Sequence, residues 1–448
     1  MDFNTYQKLW NINEDLAKLG QEVYDSLSDK FTSIDKTIVS NQLRALASFQ
    51  NNNLSEQHFY GTTGYGYGDM GRELLNNVMA ELMGTEDALV SVYWVSGTHA
   101  ISDCLFALLD GDDVDNDKEI LLSITGRPYE TLSKVLGLNK TNDNDEGSNY
   151  RNTSRRLNYR EISVFSESNN PGDNNFCADS LDNEINLDLL KEELTTLKPK
   201  VVFIQKSKGY SWRKTLVKKD MKEIIDTVRT YSPYSIIFVD NCYGEFVEDI
   251  EPGSLGADLI AGSLIKNPGG GLAPTGGYVA GREHLVNRVS EELTAPGLGK
   301  GMGATLNTNK DVIQGLYLAP KFVGEALKGA VFNAKLYSRL GYEVLPGIDE
   351  KRGDIIQAIK FYDKEKLIGF VEGVQRAGAV DSSVTPVPEK MPGYDSEVIM
   401  AAGTFIQGGS LELSADAPVI PPYIAFFQGG LTLSHSILGS LLGAEYVK

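Results

Sequence analysis

The sequence predicts an α/β protein: a mostly parallel sheet sandwiched by helices, preceded by a helical arm and followed by a smaller α+β domain. Three observations predict it. Strand-like and helix-like segments alternate from about residue 88 to residue 281. Several of the strands are near-continuous apolar runs, as strands covered on both faces must be. Near residue 318 the pattern changes to one long helical stretch followed by mixed elements. The boundaries implied are 1–57 for the arm, 58–317 for the large α/β domain and 318–448 for the small one.

Each element follows in order. Residues 1–50 read as helical, with Leu9, Ile12, Leu16 and Leu19 spaced by three and four and with Gly20 interrupting them; "TIVSNQLRALASFQ" supplies a second piece. "HFYGTTGYGYGDMGRELLNNVMAELMG" is a glycine- and tyrosine-rich loop, then a helix that stops at Gly84. "ALVSVYWV" is a strand, and "SGTHAISDCLFALLD" a turn and helix. "EILLSIT", "YREISVF", "KVVFIQ", "YSIIFVD", "ADLIAGSL" and "GGYVAG" are further strands, with helices at "GRPYETLSKVLG", "LDLLKEELTTL" and "DMKEIIDTVRTY". Residues 139–157 and 166–184 are polar connections. The helix "APKFVGEALKGAVFNAKLYSRLG" opens the small domain.

The totals exclude several classes. With 448 residues, 41% hydrophobic and 23% charged, the chain is long enough for two domains of ordinary globular composition. Its net charge of −19 argues against a nucleic-acid or anionic-membrane surface. Cys104, Cys177 and Cys242 form neither a disulfide framework nor a zinc pattern, which suits a reducing cytoplasm. His58, His99, His284 and His435 are scattered, so no metal site is expected. The stretch "MDFNTYQKLWNINEDL" carries acids and no apolar core, so it is not expected to act as a signal peptide, and no uninterrupted apolar run approaches membrane-spanning length.

In a parallel sheet, ligands collect where strands end. Ser96, Gly97 and Thr98 follow one strand, Tyr129 another, Asp240 a third, and Ser263 and Lys266 a fourth. "SGTH" opens a helix and offers N–H groups and a hydroxyl to a phosphate, although it also reads as an ordinary N-capped core helix with Ser96 as the cap. Tyr129 offers a flat face or a packing residue. Asp240 ends an apolar strand and needs a cation such as a protonated pyridine nitrogen, or else caps a turn. Lys266 arrives from apolar residues into glycines; desolvation there is expected to lower its pKa and make it nucleophilic toward an aldehyde. Phosphate, ring, ring nitrogen and aldehyde together describe pyridoxal 5′-phosphate. "GTTGYGYG" lacks the lysine of a nucleotide loop and does not follow a clear strand.

The order SGTHAI (96–101), GRPYETL (126–132), FVDNCYGEF (238–246) and GSLIKNPGGG (262–271), with TTGYGYGDMGRE (62–73), IQKSKGYSWR (204–213) and QGGLTLSH (428–435), resembles the fold-type I pyridoxal-phosphate enzymes of the cystathionine and methionine lyase group. The likeness is to the bacterial methionine gamma-lyase-like branch known as aluminium resistance proteins, and it runs from about residue 58 to the end. It implies that Lys266 binds the cofactor aldehyde and moves the Cα proton, that Asp240 holds the pyridine nitrogen protonated, and that Tyr129 stacks on the ring and serves as an acid or base. Gly97, Thr98 and Ser263 correspond to the phosphate cradle. Tyr65 and Tyr67 lie in the loop that, in relatives, reaches the site of a neighbouring subunit, which implies a homodimer or homotetramer with shared sites.

Two departures stand out. Relatives carry an arginine in the stretch that reads "ADAPVIPPY" here, with Ile420 near that position, leaving Arg72, Arg127 or Arg213 as candidates for the substrate carboxylate. "IQKSKGY" has lysines where arginines are expected. The implied activity is elimination from a sulfur-containing amino acid, giving keto acid, ammonia and thiol. The alternatives are γ-replacement or another amino-acid transformation, a protein that binds pyridoxal phosphate without turnover, and a metal-tolerance protein holding hard cations through oxygen ligands, for which "TNDNDEGSN" is the nearest segment.

Overall fold

The computed structural model describes residues 2–109, 119–138, 158–165, 185–391 and 394–447. The polar connections, Cys177 and "TNDNDEGSN" lie outside the described residues.

The chain begins with three helices, α1 (Phe3–Trp10), α2 (Glu14–Asp25) and α3 (Ser28–Asn51). Gly20 does not interrupt them: α2 runs through it, and the break falls at Asn11–Asn13. There Asn11 takes φ 54° and the Asn13 side chain accepts the N–H groups of Asp15 and Leu16. Glycine is needed at 20 because a Cβ would lie 2.6 Å from the Phe3 ring. Phe3, Tyr6, Ala17 and Val23 pack with Phe332, Tyr337, Phe370 and Leu441, so this segment shares a core with the C-terminal unit.

Helix α4 (Met70–Met83) ends at Gly84, φ 69°, as its sequence predicts. The large unit then alternates: β1 (Asp87–Ser91), α5 (Gly97–Leu108), β2 (Ile120–Ser123), α6 (Glu130–Val135), β3 (Asn158–Glu161), α7 (Leu187–Leu197), β4 (Val201–Gln205), α8 (Lys218–Tyr231), β5 (Ile236–Asp240), α9 (Pro252–Leu255), β6 (Leu259–Ser263), β7 (Gly277–Gly281) and α10 (Glu283–Leu293). The sheet order is β1-β7-β6-β5-β4-β2-β3. Strands β2 to β6 are parallel, and β7 runs antiparallel to both β6 and β1. The strand expected over "ALVSVYWV" stops at Ser91. Trp94 is fully buried and donates its indole N–H to Asp103 on α5 at 2.7 Å, which turns the chain toward that helix. Val201, Phe203, Phe238 and Leu259 face α5 and α10. Their neighbours Val202, Ile204, Ile237 and Val239 face α7 and α8. Helices therefore cover both faces, the reason the strands read as continuous apolar runs.

Helix α11 (Asn309–Arg339) starts ten residues before the helix read from the sequence, crosses the 317/318 boundary and carries Pro320 inside it. Then come β8 (Glu343–Leu345), β9 (Gln357–Lys360), α12 (Lys364–Ala377), β10 (Glu389–Lys390), β11 (Glu397–Ala401), β12 (Ser414–Pro418), β13 (Ile424–Gln428) and α13 (Leu433–Tyr446). The strands form an antiparallel sheet, β10-β11-β12-β13-β9-β8. Among the described residues, no helix is long and apolar enough to cross a membrane, and no group of three or more His, Cys, Asp or Glu could hold a metal ion.

Candidate active site

The carboxyl ends of β4, β5 and β6 lie side by side, with Gln205 opposite Asp240 and Asp240 opposite Ala261. Asp240 is the last residue of β5 and is 3% exposed. Its Oδ1 accepts the Cys242 N–H at 3.1 Å. Burial pushes this carboxyl above the usual carboxylate range, and the Lys266 and Arg213 charges and the Cys242 N–H offset part of the rise. A further cation beside it would stabilise the ionised form.

Lys266 follows β6 and enters a short turn, Asn267–Gly269. The turn must be glycine-rich because a Cβ at Gly269 would lie 1.7 Å from the Leu264 carbonyl oxygen. The Lys266 ammonium sits 3.8 Å above the centre of the Tyr243 ring. Its pKa is raised, not lowered as the sequence led us to expect. Burial does favour the neutral amine, but acidic neighbours Cys242, Tyr243 and Asp240 outweigh it. The apolar approach and Asp240 were legible in the sequence; Cys242 and Tyr243 closing on the amine were not.

Tyr129 precedes α6 and brings its hydroxyl to 3.2 Å from the Thr98 Oγ1. Burial and then the Asp240 charge push its phenol well above the ordinary range, so it is protonated at neutral pH. The structure thus brings Lys266, Asp240, Tyr129 and Thr98 together at the carboxyl edge of the sheet. Gly97 joins them: a Cβ there would meet Cys242 Sγ at 3.0 Å and Ser263 Cβ at 3.2 Å. Ser96 caps His99 through its side chain, leaving the first-turn N–H groups of Gly97 and Thr98 without an intrahelical acceptor. Ser263 is 1% exposed, yet its Oγ has no hydrogen-bond partner among the described residues. An orphaned hydroxyl beside free helix N–H groups, with side-chain bulk excluded at Gly97, fits a phosphate group.

Tyr65 and Tyr67 are placed elsewhere. Both are exposed and stack on each other with ring centres 5.6 Å apart, in a loop packed against residues 301–307. The arginine candidates are otherwise engaged. Arg72 donates to the carbonyls of Gly66, Gly301 and Gly303 and fastens that loop. Arg127 donates to the Leu138 carbonyl at 2.9 Å. Arg213 donates to the carbonyls of Gln205, Ser207 and Lys214, and its guanidinium lies over the Phe165 ring. Of the two lysines in "IQKSKGY", Lys206 donates to the Gly244 carbonyl and Lys208 to the Leu345 carbonyl, both buried. Burial brings the Lys208 amine down to about 7.

Three site residues escaped sequence reasoning. Tyr243 lies inside a motif whose acid drew the attention. Tyr210 and Asp416 come from a loop and from the second sheet. Asp416, on β12, accepts from Gln428 at 3.2 Å and feels the Lys266 charge. No local pattern marks a residue that reaches a site from another unit.

Residues 16–444 match the family model described as methionine gamma-lyase. The chain is 42% identical over 421 residues to an uncharacterized protein of Bacillus subtilis (strain 168), YnbB, covering 94% of this chain and 93% of that one. The solved structure of a carbon-sulfur lyase involved in aluminum resistance from Clostridium novyi NT is similar with TM-score 0.87 and 40% identity, over 99% of each chain. The pyridoxal-5′-phosphate dependent protein YhfS from Escherichia coli shares the fold at TM-score 0.57 and 16% identity, over 91% of this chain and 95% of that one.

Proposed function

The chain belongs to the methionine gamma-lyase family, and from that premise we propose that it is a pyridoxal-phosphate-dependent carbon–sulfur lyase acting on a sulfur-containing amino acid. The observation that carries the reading is the convergence of Lys266, Asp240 and Tyr129 beside the unpartnered Ser263 hydroxyl, which lies next to Gly97 at the N-terminus of α5. When bound, pyridoxal phosphate supplies an aldehyde for amines and a cationic ring that draws electron density from the substrate Cα.

The chain's own residues do the rest. Gly97 and Thr98 N–H groups and the Ser263 hydroxyl bind the phosphate. Asp240, buried at the end of β5 and held partly ionised by the Lys266 and Arg213 charges, would hold a proton on the ring nitrogen. Tyr129 lines the ring. Lys266, anchored over Tyr243, takes the Cα proton once its amine is free, and its fixed position supplies the orientation that lowers the barrier. The products are a thiol, ammonia and a keto acid. The same reading makes the protein a homo-oligomer whose exposed Tyr65 and Tyr67 reach the site of a second copy.

The test is direct. Purified protein incubated with pyridoxal phosphate, reduced with borohydride and digested is expected to carry the cofactor mass on the Lys266 peptide. Incubation with methionine or cystathionine is expected to yield keto acid, and Lys266→Ala should lose both signals. Cofactor attachment without turnover of either amino acid would overturn the lyase assignment.

A further inference from the structure

Asp416 pairs in register with Phe426 of β13, and Phe426 packs in one cluster with Tyr210 and with Tyr243, the ring beneath the Lys266 ammonium. Asp416 is half-buried on β12. Gln428 on β13 donates to its Oδ2 at 3.2 Å, and the Tyr210 hydroxyl, from the loop after β4, also lowers its proton affinity. Tyr210 in turn stacks with Phe426 and Tyr394, with ring centres 5.2 and 6.0 Å apart. Tyr243 after β5, Tyr394 before β11 and Lys266 after β6 also feel the Asp416 charge. Burial pushes the carboxyl up to about 6, and Lys266 is the cation that restrains it.

We propose that Asp416 is the acid that protonates the departing sulfur, a role that rests on the lyase reading above. In elimination at Cβ, Lys266 takes the Cα proton and the pair left behind becomes the Cα–Cβ double bond. The carbon–sulfur bond breaks with its electrons on sulfur, and the Asp416 carboxyl proton passes to sulfur. The thiol leaves neutral; Lys266 is then cationic and Asp416 anionic. Transfer of one proton from the amine to the carboxylate restores both, so no further reactant is required.

The electrostatics favour this sequence. While Lys266 is neutral, only the Gln428 and Tyr210 contacts oppose the rise that burial causes, and the carboxyl holds its proton more tightly than beside an ammonium. When Lys266 becomes cationic, its charge lowers the proton affinity of Asp416 as sulfur needs the proton. A carboxylate that served to grip a cationic substrate would have to stay ionised opposite a neutral lysine, the state that burial disfavours. Tyr129 is the weaker acid, its phenol being pushed well above the ordinary range.

The experiment compares the holoenzyme with Asp416→Asn on two amino acids that differ in leaving group: S-methylcysteine, whose thiolate needs a proton, and β-chloroalanine, whose chloride does not. The kcat on the thioether is expected to fall about 10²–10⁴-fold, the usual contribution of a general acid, while that on chloroalanine stays within a few-fold. Asp416→Glu should recover part of the thioether rate. In the wild type, kcat on the thioether should decline as pH rises through the titration of the carboxyl, and kcat on chloroalanine should not; this measurement needs no variant to fold. Equal losses on both amino acids, a loss confined to KM, or matching pH profiles would overturn the role of Asp416 and leave the lyase reading standing. A wild-type holoenzyme that turns over neither compound would instead overturn the lyase reading, and the proposal with it.

Discussion

Ser263→Ala is expected to move two properties in opposite directions. The Ser263 side chain is 1% exposed, and its hydroxyl has no partner among the described residues. Leaving a buried donor unsatisfied costs ~1–3 kcal/mol. Alanine removes that hydroxyl and keeps the Cβ that lies against Gly97, so the cofactor-free protein should gain about 1–2 kcal/mol in unfolding free energy. Toward pyridoxal phosphate the sign reverses. A hydrogen bond to a charged phosphate is worth ~1.5–3 kcal/mol, so its loss should raise Kd by about 10- to 150-fold. Urea unfolding of the stripped protein measures the first quantity, and a spectroscopic titration with pyridoxal phosphate the second. Lower stability with unchanged affinity would show that Ser263 is an ordinary core hydroxyl and that the phosphate lies elsewhere.

Two other perturbations probe the support beneath the site. Glu245 is fully buried, with Oε1 accepting from the Tyr278 hydroxyl at 2.9 Å and Oε2 unpartnered; burial raises its pKa from 4.5 to about 8. Because the folded value lies above the unfolded one, stability is fully present below pH ~4.5 and is lost as pH rises toward 8, by about 5 kcal/mol at ~1.4 kcal/mol per pH unit. Glu245→Gln should flatten that decline in denaturant titrations of the cofactor-free protein from pH 5 to 9, and an unchanged slope would refute the assignment. Asp258, 3% exposed, binds Arg229 and Arg282 at 2.6 Å each and accepts the Ile237 N–H at 2.7 Å, tying β5 to the start of β6. Asp258→Ala should reduce the urea midpoint by the equivalent of about 3 kcal/mol with an unchanged m-value; a shift below ~0.5 kcal/mol would mean that the arginines contribute nothing.

By itself, the sequence determined the α/β alternation, the helix stop at Gly84 and the placement of Asp240 and Lys266 just beyond strands. These follow from local periodicity, turn chemistry and the chain's need to hide continuous apolar runs. It also marked Gly97, Thr98, Tyr129 and Ser263, because parallel strands deliver whatever follows them to one edge of the sheet. Only the tertiary structure decided the rest: β7 reversing direction, Trp94 ending β1 early, Arg72 being spent on carbonyls, and Tyr65 and Tyr67 lying in a separate loop. It also set the Lys266 amine among acids and brought Asp416 across from the other sheet. The physical reason is that a pKa, an orphaned hydroxyl and a facing carboxylate depend on distances between residues far apart in the chain, and no short-range pattern encodes those distances.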